Sequence, residues 1–384
     1  MEKVNLFVLE KLKAELAESP YEAILVFGAD HVHYLSGAVL PSMFSHKSEP
    51  VYFFMAQAAE PVLICPAKLK NTLLQLGWVK KIVTYQPAQN PLLPAENLLE
   101  GIKEVGMDFE RMSVAVYEDL QKALPALKIS ACDTWLKGLR MVKTTAELQL
   151  LAHLAATTDH GIAGAIHHVP VLGARSEKYI AEDLRVHCIE RELDCQGYHS
   201  LSLAASGSHS QKIWPLAPSY GMGWAKTLNP GDTVRLEMRS VLNGYWCDAA
   251  RMLTMGTPDD SQNDAYQSLA VLRDAFEAAL LPGVKANALY QKLIQISDAN
   301  NIRLVEALGV GHGVGVTPYE GPFLNAWDET VLSSGMVVVL DIMVQASNQD
   351  LFRIRETYQL TASGFTRADW YQSWDQPYIP AYTF

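Results

Sequence analysis

An Asn-Gly pair, Asn243-Gly244, set between two apolar runs constrains this chain more than any other feature. Both residues tolerate the positive φ that a two-residue hairpin turn needs, so the pair predicts two antiparallel strands joined tightly. The runs are Gly231-Asp232-Thr233-Val234-Arg235-Leu236-Glu237 and Tyr245-Trp246-Cys247-Asp248, which puts Glu237 and Asp248 on paired strands. A second pair is read at Met336–Asp341 and Phe352–Tyr358. Asp341 closes an apolar run that would be central in a sheet, where a carboxylate is costly unless paired or coordinated. Between these pairs lies Gly311-His312-Gly313-Val314-Gly315, whose glycines let backbone approach a ligand and leave the imidazole uncovered.

The rest of the chain reads as two domains of different character. Ala23–Phe27, Val51–Met55 and Pro61–Ile64 are short apolar runs read as strands. Ala67–Leu76 and Pro94–Val105 are read as helices, so the first domain is mixed α/β. Near residue 140 the pattern changes. Thr144 and Glu147 form a capping-box pattern ahead of a long Ala/Leu-rich helix reaching about His168. A faint repeat follows, in which helix, Val171-Leu172-Gly173 and helix return 110 residues later as helix, Leu281-Pro282-Gly283 and helix. Such duplication predicts two related halves with a site at their seam.

Composition excludes several functions. Acidic residues outnumber basic ones, 42 to 31, which argues against nucleic acid as a main partner. No window is long and apolar enough to span a membrane, and the N-terminal segment reads as an amphipathic helix rather than a signal peptide. The five cysteines, Cys65, Cys132, Cys188, Cys195 and Cys247, show no zinc spacing and read as free thiols in a reducing cytoplasm.

These motifs together carry a resemblance. From about residue 135 to 365 the chain resembles the pita-bread hydrolases, a group that includes methionine aminopeptidases, prolidases, aminopeptidase P and creatinase. The first 130 residues resemble the N-terminal domain of the prolidase and creatinase branch. There Asp30–Gly37 fits the family's turn, apolar run and Tyr-Leu-Ser-Gly, and Leu139–Glu147 fits its domain junction. The resemblance implies an α/β domain over 1–140, an α+β pita-bread domain over 141–365 and an aromatic tail over 366–384. It also implies a homodimer acting on a small-molecule substrate.

The family's metalloenzymes hold two divalent ions between Asp, Asp, His, Glu and Glu. Those positions fall here on Glu237, Asp248, His312, Asp341 and Arg355, with Glu356 adjacent to the last. Arginine cannot ligate a cation, so the resemblance implies no ordinary two-metal site. A single divalent metal on Glu237, Asp248, His312 and Asp341 is the alternative. The catalytic set read from the sequence is therefore His312, Glu237, Asp248, Asp341, Arg355 and Glu356. Arg355 is expected to pair with Asp341, Glu237 or Asp248. The family's substrate-side histidines fall on Trp214 and Tyr319, with Glu320 retained and His209 close to the Ser-Gly turn; these four are the substrate-binding candidates. His31 and His33 are read as surface residues near the N-domain turn, on a loop that in this family can approach the partner subunit's site. Creatinase shares the fold, lacks a metal centre and hydrolyses a guanidino C–N bond. The expected function is accordingly a creatinase-like hydrolase of a small amino- or guanidino-bearing molecule, drawn to residual acidity in the site. The alternatives are an Xaa-Pro dipeptidase or aminopeptidase with a modified metal centre, a non-catalytic binding protein, and a lyase.

Overall fold

The computed structural model describes residues 2–38, 50–86, 90–172, 175–193, 201–213, 224–306, 309–368 and 378–379. The chain divides into two compact units: Met1–Arg140 with Thr144–Ala146, and Met141–Lys143 with Glu147–Phe384.

The first unit runs α1 (Glu2–Glu18), β1 (Ala23–Val26), α2 (Ala29–Ser36), β2 (Tyr52–Ala56), β3 (Val62–Pro66), α3 (Lys70–Leu76), β4 (Lys81–Tyr85), α4 (Leu93–Leu99), β5 (Glu104–Met107), α5 (Val114–Ala123), β6 (Lys128–Ala131) and α6 (Asp133–Met141). Its six strands lie in the order β4-β3-β2-β1-β5-β6. The pairs β1–β2 and β2–β3 are antiparallel and the other three are parallel. Leu25, Phe54, Ile64, Val105, Met107 and Leu120 share one core on this sheet.

Two sequence expectations change here. The helix expected over Pro94–Val105 stops at Leu99, because Gly101 takes a φ of 86° and β5 then starts at Glu104. Asp30–Gly37, read as a turn and an apolar run, is helix α2, closed by Gly37 at φ 71°. That helix turns His31 and His33 inward, and both are buried rather than at the surface.

His31 Nδ1 lies 3.2 Å from Arg140 Nη1. A guanidinium can only donate, so Nδ1 must offer its lone pair and the ring is neutral. Burial is the main reason its pKa falls to about 4, with Arg140 and Arg111 reinforcing the drop against the opposing charge of Asp30. A histidine depressed in the folded state contributes stability above its unfolded value near 6.5 and loses it as the pH falls toward 4. Acidification across that window is expected to remove up to about 3 kcal/mol of stability. Urea denaturation of the full chain at several pH values checks this. His31→Gln keeps an acceptor for Arg140 and should flatten the dependence; an unchanged slope would refute the assignment.

The second unit begins with α7 (Thr145–Leu172), α8 (Glu177–Ile189), β7 (Leu201–Ser206), β8 (Thr233–Leu242), β9 (Tyr245–Met255), α9 (Asp260–Ala279) and α10 (Ala286–Ala299). It continues with β10 (Gly311–Gly313), β11 (Glu320–Phe323), β12 (Val337–Gln345), β13 (Leu351–Thr361), β14 (Gly364–Arg367) and β15 (Tyr378–Ile379). One sheet runs β11-β10-β12-β13-β9-β8-β7, with β14 on β13 and β15 on β9. All its pairings are antiparallel except β15 with β9.

The Asn243-Gly244 turn forms, with φ of 54° and 79°. α9 starts at a capping box, Asp259 accepting from Gln262 N while the Gln262 side chain accepts from Asp259 N. Leu269, Leu272 and Phe276 of α9 and Leu289 and Leu293 of α10 pack in one core with Val338, Leu340, Ile342, Phe352 and Ile354. Strand alternation sends the intervening residues, Asp341, Arg353 and Arg355, to the other face.

Candidate functional site

The register of four strands assembles the site. On β8, Arg235, Glu237 and Arg239 occupy alternate positions and therefore share a face. On β13, Arg353 and Arg355 do the same. Asp341 lies directly opposite Arg355, and Asp248 directly opposite Arg239. A single pairing, Arg355 with Ala250, joins β13 to β9 and brings the two hairpins together.

His312 enters from β10, opposite Val339 of β12. The glycines around it are dictated by crowding. An added Cβ at Gly311 would strike the Val339 carbonyl, and one at Gly313 the Gly321 carbonyl.

Each carboxylate in the site is held by guanidinium. Arg353 grips Asp341 with two parallel hydrogen bonds, Nε to Oδ1 and Nη2 to Oδ2, both 2.7 Å. Arg355 Nε adds a third to Oδ2 at 3.0 Å. Glu237 Oε2 accepts from Arg353 Nη1 at 3.2 Å and from Arg355 Nη1 at 3.0 Å, and its Oε1 lies 2.9 Å from Arg235 Nε. Asp248 is gripped by Arg239, Nε to Oδ1 at 2.7 Å and Nη2 to Oδ2 at 2.9 Å, with the Arg355 charge also favouring its anion. Arg235 also donates to the carbonyls of Ser210 and Lys212.

These contacts decide the protonation states. Burial alone would raise the pKa of Glu237, Asp248 and Asp341, yet all three fall below the ordinary range because the arginines favour the anions. Burial lowers Arg235 to about 10, still a cation at neutral pH. Among the described residues, four fixed positive charges thus face three negative ones. The residual acidity expected from the sequence is reversed, because Arg235, Arg239 and Arg353 join Arg355 on the same face.

His312 is only 4% exposed. Its Nδ1 lies 3.0 Å from the Gly313 carbonyl, which can only accept, so Nδ1 carries the proton. Nε2 is left with a lone pair, buried and without a hydrogen-bond partner among the described residues. Burial lowers the ring's pKa, so it stays neutral despite Asp341 and Asp248 nearby. The Tyr319 ring packs against it at 4.4 Å between centroids. The Tyr319 hydroxyl accepts from Arg239 Nη2 at 2.8 Å and Arg355 Nη2 at 3.4 Å, and Tyr319 is 37% exposed.

The remaining candidates lie elsewhere or make other contacts. Glu356 is on the opposite face of β13, where it accepts from Tyr358 beside α9; the alternation that gathers Arg355 turns Glu356 away. Glu320 pairs with Lys143 at 2.5 Å. His209 Nδ1 meets the buried Glu177 at 2.8 Å and its ring lies against Trp224, so it belongs to a separate polar cluster at the end of β7. Trp214, Cys195 and the tail aromatics Trp370, Tyr371, Trp374 and Tyr382 lie outside the described residues. The sequence reading missed Arg235, Arg239 and Arg353. Their signal was the period-two run Arg-Leu-Glu-Met-Arg on β8 and the Arg-Ile-Arg on β13.

Known proteins share this architecture. The profile of metallopeptidase family M24 matches residues 141–362, and that of the creatinase/prolidase N-terminal domain matches 9–142. A Pyrococcus horikoshii protein named Xaa-Pro dipeptidase is 25% identical over 276 residues, covering 70% of this chain and 74% of its own. One of the same name from Lactobacillus helveticus is 23% identical over 367 residues, covering 93% and 95%. The crystal structure of dipeptidase PepE from Mycobacterium ulcerans superposes with a TM-score of 0.80 at 20% identity, covering 98% of both chains. That likeness establishes the two-domain fold, an α/β unit followed by a pita-bread unit.

Proposed function

Because the chain belongs to metallopeptidase family M24, we propose that it is a hydrolase of that family which cleaves a C–N bond in a small carboxylate-bearing substrate without the two-metal centre. The observation that carries this reading is the clamp of Arg353 and Arg355 on Asp341 and Glu237. The donors do not fit a pair of divalent cations. Every carboxylate at a ligand position is already held by guanidinium, and four arginines face the space between them. Added divalent charge would meet repulsion, so no step runs through a metal.

The same charge count selects the substrate. Arg239 and Arg355 converge on the Tyr319 hydroxyl, a neutral and partly exposed group. A substrate carboxylate taking its place would satisfy both guanidiniums with full charge. This polarity supports an anionic handle in place of the cationic one expected from the sequence. The relatives named Xaa-Pro dipeptidase point the same way, since a dipeptide ends in a carboxylate. His312 Nε2 takes a proton from the attacking water and returns it to the leaving nitrogen, the role its tautomer and vacant lone pair suit. The homodimer implied by the resemblance is part of this reading, and sedimentation giving a clean monomer would count against it.

The test is turnover of a panel of small amides, Xaa-Pro dipeptides and guanidino acids, before and after dialysis against a chelator. Activity should survive chelation, and amidating the substrate carboxylate should raise KM. Activity abolished by the chelator and restored by manganese or cobalt would overturn the metal-independent reading.

A further inference from the structure

Away from that site, α7 and α8 bring together a donor set of a different kind. His168 projects from α7, and Asp183 and His187, one turn apart, project from α8. We propose that these three residues bind a zinc-class divalent cation that ties the two helices together. His168 Nδ1 lies 3.1 Å from His187 Nε2 and 3.5 Å from Asp183 Oδ1, and His187 Nε2 lies 3.6 Å from Asp183 Oδ2. A tetrahedral zinc with bonds near 2.0–2.1 Å spaces its ligand atoms about 3.3 Å apart. One ligand atom from each of the three side chains lies within 4.8 Å of the others, so small side-chain adjustments bring all three onto one ion.

The surroundings are built to hold the imidazole. An added Cβ at position 164 would come within 3.0 Å of His187 Nδ1, so the ring rests on α7 because that residue is Gly164. His187 Nδ1, on the side of the ring away from the proposed ion, makes no hydrogen bond among the described residues, and the Glu190 carboxylate is 3.7 Å from it. Asp183 Oδ2 is buried and has no hydrogen-bond partner among the described residues. Two imidazoles and one carboxylate suit zinc, cobalt or nickel better than magnesium or calcium, which favour all-oxygen ligands. The His168 side chain is half exposed, which leaves a fourth position open to water. The site is independent of the arginine cluster, and its role is to clamp α7 to α8.

The experiment uses the full chain, dialysed against a chelator and titrated with zinc chloride alone by calorimetry. Wild type should bind one zinc ion that His187→Ala loses, or binds at least about tenfold more weakly. His160→Ala, an exposed histidine elsewhere on α7, should match wild type. Zinc should raise the thermal midpoint of wild type and not that of His187→Ala, whose circular dichroism without metal should equal wild type. Asp183→Asn, a milder change, should weaken zinc in the same direction. Equal stoichiometry and affinity in wild type and His187→Ala would overturn the proposal. Zinc lost on His312→Ala instead of His187→Ala would overturn both this site and the metal-independent reading of the arginine cluster.

Discussion

Replacing Arg353 by methionine is expected to cost about 3–5 kcal/mol of stability, the penalty for stripping a buried anion of its partner. Arg353 supplies both hydrogen bonds of the Asp341 clamp and a third to Glu237, and its side chain is almost wholly buried. Methionine fills most of the volume, so the loss is electrostatic rather than a cavity. Among the described residues Asp341 would retain Arg355 Nε, and its pKa would climb as burial reasserts itself. The loss should therefore grow as the pH rises toward that new value and level off above it, because the folded variant must then carry an anion that has lost its principal clamp. Removing both partners in Arg353→Met/Asp341→Leu should recover much of the loss, since an apolar pair replaces an ion pair at little net cost. Chemical denaturation of the single and double variants measures this. A single variant within about 1 kcal/mol of wild type would show the clamp to be weakly coupled to folding.

The second large effect is expected in catalysis. His312→Ala should lower kcat by about 10²–10⁴-fold, the usual worth of a positioned general base. Stability should change less, since the ring's polar contact among the described residues is to the adjacent Gly313 carbonyl. The pH profile separates a proton-transfer role from a packing role. Burial holds the folded pKa of His312 below its ordinary value, so the base stays competent into mildly acidic solution. Wild-type kcat/KM should fall on an acid limb lying below pH 6.5, near which free imidazole titrates, and the residual activity of His312→Ala should lack that limb. Arg239→Lys provides the contrast. It keeps the charge but loses the fork on Asp248 and the donor to Tyr319, so it should raise KM more than it lowers kcat. Equal pH profiles for wild type and His312→Ala would move the base elsewhere.

Much of this molecule was legible in local sequence. Asn243-Gly244 specified a tight hairpin because few residues accept positive φ at both turn positions. Period-two alternation then put Glu237 on one face of β8 and separated Arg355 from Glu356 on β13. The glycines flanking His312 read as room for a ligand beside an uncovered imidazole, whereas the folded chain brings the Val339 and Gly321 carbonyls against them and buries the ring; the ordered motifs carried the family resemblance. The tertiary structure decided the charge of the site. Arg235, Arg239 and Arg353 alternate with Glu237 and Arg355, but alternation says only which face a residue occupies. Which faces meet depends on the register of β13 against β9 and β12 against β10, strands far apart in the chain. The same holds for His168, Asp183 and His187, which meet only because α7 packs on α8. Local sequence governs the turn and the face because both follow from steric limits within a few residues. The sign of a cluster and the lone pair left open on His312 arise from contacts between distant segments, which only the folded chain brings together.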